Sequence, residues 1–562
     1  MNILELYKGK IRSLVTDALK KAMENGELSG DSIPEFEIEI PADTNFGDFA
    51  TNVAMVGARS FKTNPRKIAE AVVSNISLEN SGIEKVQIAG PGFINFFVSM
   101  DFFAEIVKAV RDEKSGYGRC NIGDGKKLMV EFVSANPTGP MHIGNARGGA
   151  LGDCLASVLD WAGYDVTREF YVNDAGNQIE KFAVSLSARY MQIYKGEEIV
   201  FPEDGYHGED IKVHAANFAE KYGDRFVNAD EEERKKALVE FALPINIERL
   251  HSDLAAYRIN YDVWFNESDL HGSGAVKKVV DMLTANGKTY EKEGAIWLRS
   301  TDFGCEKDDV LVRANGFPTY FAADIAYHYN KFVERGFDKV INIWGADHHG
   351  HVARLKGAIE ALGVKKDSLD IVLMQLVRLM RAGETVRVSK RTGKSITLTD
   401  LLEEVPVDAA RYFFNLREAG THLDFDLELA VEQSSQNPVY YVQYAHARIC
   451  SIINNLKKEN AYTEDVKEKC FTLLSAPEER ELIRFIGKLP VTIGEAAKAY
   501  DPSKITKYAF DLATLFHKFY NACRVNCEDK ELTAARTALC SATKQVLENV
   551  SDILKIDAPE SM

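Results

Sequence analysis

Long uncharged apolar runs are missing from this chain of 562 residues: none reaches the roughly 18 residues that a membrane-spanning helix requires. No membrane contact is therefore expected. The opening stretch Met1-Asn2-Ile3-Leu4-Glu5-Leu6-Tyr7-Lys8 has no basic-then-apolar layout, so no secretory leader is expected and the cytoplasm is the default compartment. Paired cysteines are missing too. The eight are scattered at positions 120, 154, 305, 450, 470, 523, 527 and 540, with no Cys-x-x-Cys pair and no histidine at zinc-finger spacing. This speaks against a zinc module, and reduced thiols fit a cytosolic enzyme. Cys523 and Cys527 read as two small residues four apart on one helix. There is no surplus of positive charge. The formal net charge is −16, which argues against a surface that binds nucleic acid everywhere but leaves room for a local basic track. Internal repeats and low-complexity segments are also absent. With 45% apolar residues, the length supports about four domains.

What is present is concentrated in residues 131–147, Glu-Phe-Val-Ser-Ala-Asn-Pro-Thr-Gly-Pro-Met-His-Ile-Gly-Asn-Ala-Arg. Lys127 to Val133 reads as a buried strand that Pro137, Gly139 and Pro140 break. A helical pattern starts near Gly144, with Leu151, Cys154, Leu155, Val158, Leu159 and Ala162 on its apolar side, and Gly163 stops it. His142 thus stands where a strand turns into a helix. Unpaired amide hydrogens and the positive end of the helix dipole suit phosphate there, and a histidine can donate to an oxyanion developing on it.

Two further stretches carry chemistry. Arg387-Val388-Ser389-Lys390-Arg391-Thr392-Gly393-Lys394 is a basic loop before a helix expected near Leu398. A lysine on a flexible stem can follow phosphates as they move. Trp344-Gly345-Ala346-Asp347-His348-His349-Gly350-His351 follows a buried strand, Val340 to Trp344. It fits either a metal or the adenine and ribose of a nucleotide, and the place beyond a strand's carboxyl end favours the nucleotide. In Pro318-Thr319-Tyr320-Phe321-Ala322-Ala323-Asp324, Tyr320 and Asp324 share a helix face.

The phrase from Val130 to Arg147 resembles the first signature of class I aminoacyl-tRNA synthetases, His-Ile-Gly-His, with Asn145 in place of the last histidine. It is most similar to the arginyl-tRNA synthetases of bacterial type, and the likeness extends over essentially the whole chain. The 387–394 loop resembles the second signature, Lys-Met-Ser-Lys-Ser, in degenerate form, with Arg387 for the first lysine and Arg391 for the last serine. The resemblance implies an α/β fold with three parts. A Rossmann-like catalytic domain over 119–395 carries a helical insertion at about 180–290. An N-terminal α/β domain over 1–118 contacts the tRNA elbow, and a helical anticodon-binding bundle covers 438–562, joined through 396–437. It further implies a monomer that joins L-arginine to tRNA(Arg) using ATP with Mg²⁺, without a structural metal, in two steps and with tRNA needed before activation.

Site residues carry over position by position. His142, Asn145 and Lys390 match catalytic positions. Pro137, Gly139, Gly144, Asp347, His348 and Ser389 match ATP contacts alongside those three. Glu131 and Asp324 are expected toward the guanidinium, with Ser134, Asn136 and Tyr320 toward the other polar groups. Tyr171, Asn173, Asp174, Gly176 and Gln178 form a further polar cluster near the site. Asn52, Tyr440, Tyr444 and Arg448 are expected at tRNA. Two other readings stand beside this one. A small-acid nucleotidyltransferase would share the His-x-Gly-x loop but have no use for the C-terminal bundle, and a non-catalytic tRNA reader would be free to lose His142 and Lys390.

Overall fold

Strand β1 (Lys127–Glu131) is buried from Leu128 onward, as a central strand of a helix-covered parallel sheet must be. It leads into α1 (Ile143–Trp161), β2 (Asp165–Val172) and three helices, α2 (Asn177–Lys195), α3 (Glu209–Tyr222) and α4 (Glu231–Ala256). Strand β3 (Val263–Asn266) and the short α5 (Glu267–Gly272) follow. After a separate three-stranded antiparallel sheet between Thr289 and Val312 come α6 (Tyr320–Tyr329), β4 (Lys339–Gly345), α7 (His349–Ala361) and β5 (Leu369–Met374). The five strands are parallel throughout, in the order β3-β2-β1-β4-β5. The order in which the chain adds strands reverses between β1 and β4. In open α/β sheets ligands bind beyond the carboxyl ends of the strands at that reversal.

This computed structural model describes residues 2–41, 43–386, 396–463 and 465–562. Arg387, Ser389, Lys390, Arg391 and Lys394 lie outside the described residues. Before the catalytic sheet, helix Ile3–Glu24 and a four-stranded sheet form the N-terminal unit, its strands ordered 38–39, 49–51, 93–98 and 83–89. After it, strands Val377–Arg381, Glu384–Val386 and Leu423–Asp426 make a small sheet, and helices from Pro438 to Leu554 form a bundle.

Three expectations change in detail. The strand read over 127–133 stops at Glu131, because Val133 and Ser134 both take left-handed backbone, with φ of 69° and 42°. The helical insertion runs from Asn177 to Ala256, and the sheet resumes at Val263 rather than near Ala295. Strand β3 is a half-buried edge of four residues, too short to show a period. Cys523 and Cys527 do not share a helix: helix Ser503–Ala522 ends just before them.

Two buried arginines tie the parts together. Arg411 donates to the carboxylate of Asp153 on α1 and to the carbonyls of Tyr257 and Leu554, joining catalytic domain and bundle. Arg147, also on α1, donates to the carbonyls of Gln375 (2.7 Å), Glu418 (3.1 Å) and Thr421 (2.9 Å). Burial pulls its pKa down to about 10, so it stays charged at neutral pH. Arg147→Leu would leave three carbonyls without their donor and should cost about 3 kcal/mol or more. Thermal unfolding of the full chain checks this; an unchanged midpoint would contradict the tethering role.

Candidate functional site

The carboxyl ends of β1, β2, β3 and β4 open into one cavity of about 1570 Å³. One end is built by the loop after β1. His142 is the N-cap of α1, and its Nδ1 accepts the Gly144 N–H at 3.1 Å, while the His142 N–H donates to Asn145 Oδ1 at 3.2 Å. This is a reciprocal cap. It also fixes the proton. With Nδ1 accepting, the neutral ring carries its hydrogen on Nε2, and the protein around it holds the pKa below the usual histidine value. A Cβ on Gly144 would come within 2.9 Å of the His142 ring, so this glycine makes room for the histidine as well as for a ligand. The result is a neutral N–H donor beside a helix N-terminus, suited to a phosphate oxygen.

The other end is acidic and lies against α6. The turn at Val133 and Ser134 brings Ser134 Oγ to Glu131 Oε1 at 3.0 Å, and the same hydroxyl accepts the Tyr171 N–H at 3.2 Å. Asp324 and Tyr320 share a face of α6, as their spacing predicts. Asp324 Oδ2 lies 3.0 Å from His351 Nε2. The Tyr320 hydroxyl accepts the Asn177 N–H at 2.7 Å, and its ring leaves no space for a Cβ on Gly176, whose φ is 76°. Asn173 donates to the Ser134 carbonyl at 3.3 Å, Gln178 accepts from the Tyr206 hydroxyl, and Asp174 is held by Ser268.

Glu131 differs from expectation. It does not face the cavity alone, because the fully buried Lys331 donates to its Oε2 and to Asn342 Oδ1 at 3.2 Å. Lys331 escaped the sequence reading because it sits in a π-helical turn, Asn330–Glu334, that breaks the period of α6. Beside it His328 donates from Nδ1 to the Asp324 carbonyl and accepts at Nε2 from Asn342, and burial keeps it neutral, with its pKa well below the usual value.

The acid left over is Glu267. It is buried, lines the cavity from the first residue of α5, and its pKa is pushed up to about 7, first by burial and then by Asp324 and Asp174. Its position right after β3 was the available signal, hidden once β3 had been assigned to the insertion. Asn136, Gly139, Asp347 and His348 also line the cavity, whereas Pro137, expected at ATP, is buried behind the loop and does not line it. His348 turns toward Asp347 and His351 toward Asp324, and no three metal-binding side chains converge among the described residues.

The tRNA expectations divide. Asn52 spends its Oδ1 on the Glu37 N–H within the N-terminal unit, while Asp48 of the same phrase accepts the Val98 N–H and pairs with Arg484 of the bundle. Tyr440, Tyr444 and Arg448 line a separate pocket of about 400 Å³ with Tyr441 and His517. Tyr440 and Tyr444 lie parallel, His517 stacks on Tyr444, and Arg448 donates to the Tyr444 hydroxyl.

Three families match along the chain. Residues 9–98 match the arginyl tRNA synthetase N-terminal domain, 106–454 the catalytic domain of class I (R) tRNA synthetases, and 442–562 the DALR anticodon binding domain. The arginine--tRNA ligase of Acetivibrio thermocellus is 54% identical over the full length of both chains, and that of Ruminiclostridium cellulolyticum 55%. The Thermus thermophilus arginyl-tRNA synthetase structure, 20% identical, superposes with a TM-score of 0.73 over 98% of this chain and all of that one, so the fold is shared. With a phosphate-suited helix N-terminus at one end of the cavity, an acid surplus at the other, and relatives aligned from end to end, the chain belongs to the arginyl-tRNA synthetases of class I.

Proposed function

We propose that the cavity joins arginine to ATP as arginyl-adenylate and passes the arginyl group to the 2′-hydroxyl of the terminal adenosine of tRNA(Arg). The observation that carries this reading is the surplus of buried acid at the end of the cavity away from His142. A carboxylate whose pKa is near 7 lacks a cation among the described residues, and a planar, permanently charged guanidinium is the cation that two carboxylates hold best. We assign Asp324 and Glu267 to the guanidinium, with Tyr320 beside them. Glu131, already paired with Lys331, instead anchors the turn that carries Ser134.

With the guanidinium held there, the substrate carboxylate reaches toward the α-phosphate of ATP along α1's N-terminus. Attack on phosphorus forms the acyl–phosphate bond as the bond to pyrophosphate breaks. His142 Nε2–H donates to the phosphate oxygen that gains charge, and Asn145 keeps that ring in place through the cap. Lys390 and Ser389, outside the described residues, take the pyrophosphate side; Asp347, His348 and Gly139 take the nucleoside and phosphate side. Mg²⁺, when bound, would come with the phosphates of ATP and would neutralise their charge; among the described residues no three ligating side chains converge. The pocket of Tyr440, Tyr444 and Arg448 suits an unpaired base by stacking. We place the enzyme in the cytoplasm as a monomer; no helix among the described residues is long and apolar enough to cross a membrane.

Arginine-dependent ATP–pyrophosphate exchange, with and without tRNA(Arg), tests the whole reading. Exchange with arginine alone among the amino acids is expected, and only when tRNA is present; no exchange with any amino acid would overturn the assignment. Asp324→Asn should weaken arginine binding about 10- to 100-fold, the loss of one charge-assisted contact, with ATP affinity nearly unchanged. Equal losses for both ligands would remove Asp324 from the guanidinium.

Glu267 supplies a signed pH effect. Because its pKa in the empty site is raised to about 7, it is largely neutral below that pH and ionised above it. Arginine favours the ionised form, so affinity should fall as pH drops from about 8 to about 6, and binding near neutrality should release a proton. Calorimetry in two buffers of different ionisation enthalpy measures the release. Glu267→Gln should abolish it, and buffer-independent heats in the native enzyme would refute the assignment.

A further inference from the structure

Residues 135–141 of the ATP loop are poorly able to hold themselves. Pro137 and Pro140 have no N–H, and among the described residues no N–H of this segment donates to a backbone carbonyl. A loop so built keeps its shape only if something outside grips it. At its far end the Met141 carbonyl accepts the Leu398 N–H at 2.9 Å; in its middle the grip comes from the helical insertion. Asn246 of α4 is buried and its Nδ2 donates to the Pro137 carbonyl at 3.0 Å. On its other side, Asn246 Oδ1 lies 2.8 Å from Nε2 of the buried His214 of α3.

The chemistry of these atoms leaves one arrangement. A carbonyl only accepts, so Asn246 must turn its amide NH₂ to Pro137 and its oxygen to His214. His214 must then carry its hydrogen on Nε2. Its Nδ1 is buried with no partner among the described residues, so the bond to Asn246 is the one polar contact shown for the ring, which packs edge-on to Phe182. The same helix reaches the cavity again one turn later, where Arg249 lines it. Pro244, two residues before Asn246, stands inside α4. A proline there removes a helix hydrogen bond and bends the axis.

We infer that Asn246, oriented by His214, is a positioning residue for adenylate formation: it fixes the Asn136–Pro140 segment through the Pro137 carbonyl and so sets the approach of ATP to His142. The insertion is on this view part of the activating site, not an appendage packed beside it. The inference rests on the reading of residues 131–145 as the ATP loop. Loops misplaced by about 1 Å at a reacting centre cost up to about 100-fold in rate.

The test is arginine-dependent ATP–pyrophosphate exchange on the full chain with tRNA(Arg) present. Asn246→Leu, close in volume but without a donor, should lower kcat by about 10- to 100-fold while the KM for arginine stays within about twofold. His214→Phe should show the same loss. His214→Gln, which keeps an N–H for Asn246, should recover most of it. The double variant Asn246→Leu with His214→Phe should be no slower than either single one, because the two act through one bond. If Asn246→Leu does not fold, the two His214 variants decide alone. A kcat equal to the native value in Asn246→Leu, a KM for arginine that rises as much as kcat falls, or His214→Gln no better than His214→Phe would each overturn the inference. Absence of exchange in the native enzyme would instead overturn the reading of the cavity itself.

Discussion

Carboxylates crowd this cavity, and in a low-dielectric interior each must find a cation or give up its charge. That requirement organises the site. Glu131 is matched by Lys331, Glu169 by Arg335 and the Tyr327 hydroxyl, and Asp324 lies against His351. Glu267 has no such cation among the described residues, where His271 stands 3.6 Å away. Under the assignment proposed above, a guanidinium entering there would supply the cation that Glu267 lacks among the described residues.

The opposite end follows a different rule. Phosphate chemistry needs fixed donors more than titrating groups, and here the donors are fixed by backbone. The histidine of the first signature is tied by its neighbour two residues on, and the asparagine that replaces the signature's last histidine returns the bond. Departure from the family phrase at position 145 therefore keeps the cap intact. An amide oxygen accepts the His142 N–H as a ring nitrogen would.

Much of this was legible in the order of residues. The 131–147 phrase gave the order strand, turn, helix with His142 at the helix start, though the strand ends two residues early, and the four-residue spacing of Tyr320 and Asp324 put both on one face. What escaped depended on contacts far apart in sequence. Lys331 reaches Glu131 across 200 positions, and Asn246 reaches Pro137 across 109. No local period announces such pairs. Glu267 was missed for a local reason, because a strand of four residues cannot establish an alternation. The phrase around Asn52 also makes contacts that its spacing does not announce: Asn52 accepts the Glu37 N–H within its own domain, and Asp48 joins that domain to the bundle.

Helix α1 has a property that its cap alone does not reveal. From Ala146 to Leu159 every residue is buried, with the sheet, the Gln375 and Thr421 segments and the C-terminal bundle enclosing it. Most helices on a parallel sheet keep one wet face where small shifts can dissipate. This one has none. It is seated on every side, with His142 at its exposed tip, so a change of side-chain volume anywhere along it meets close-packed neighbours.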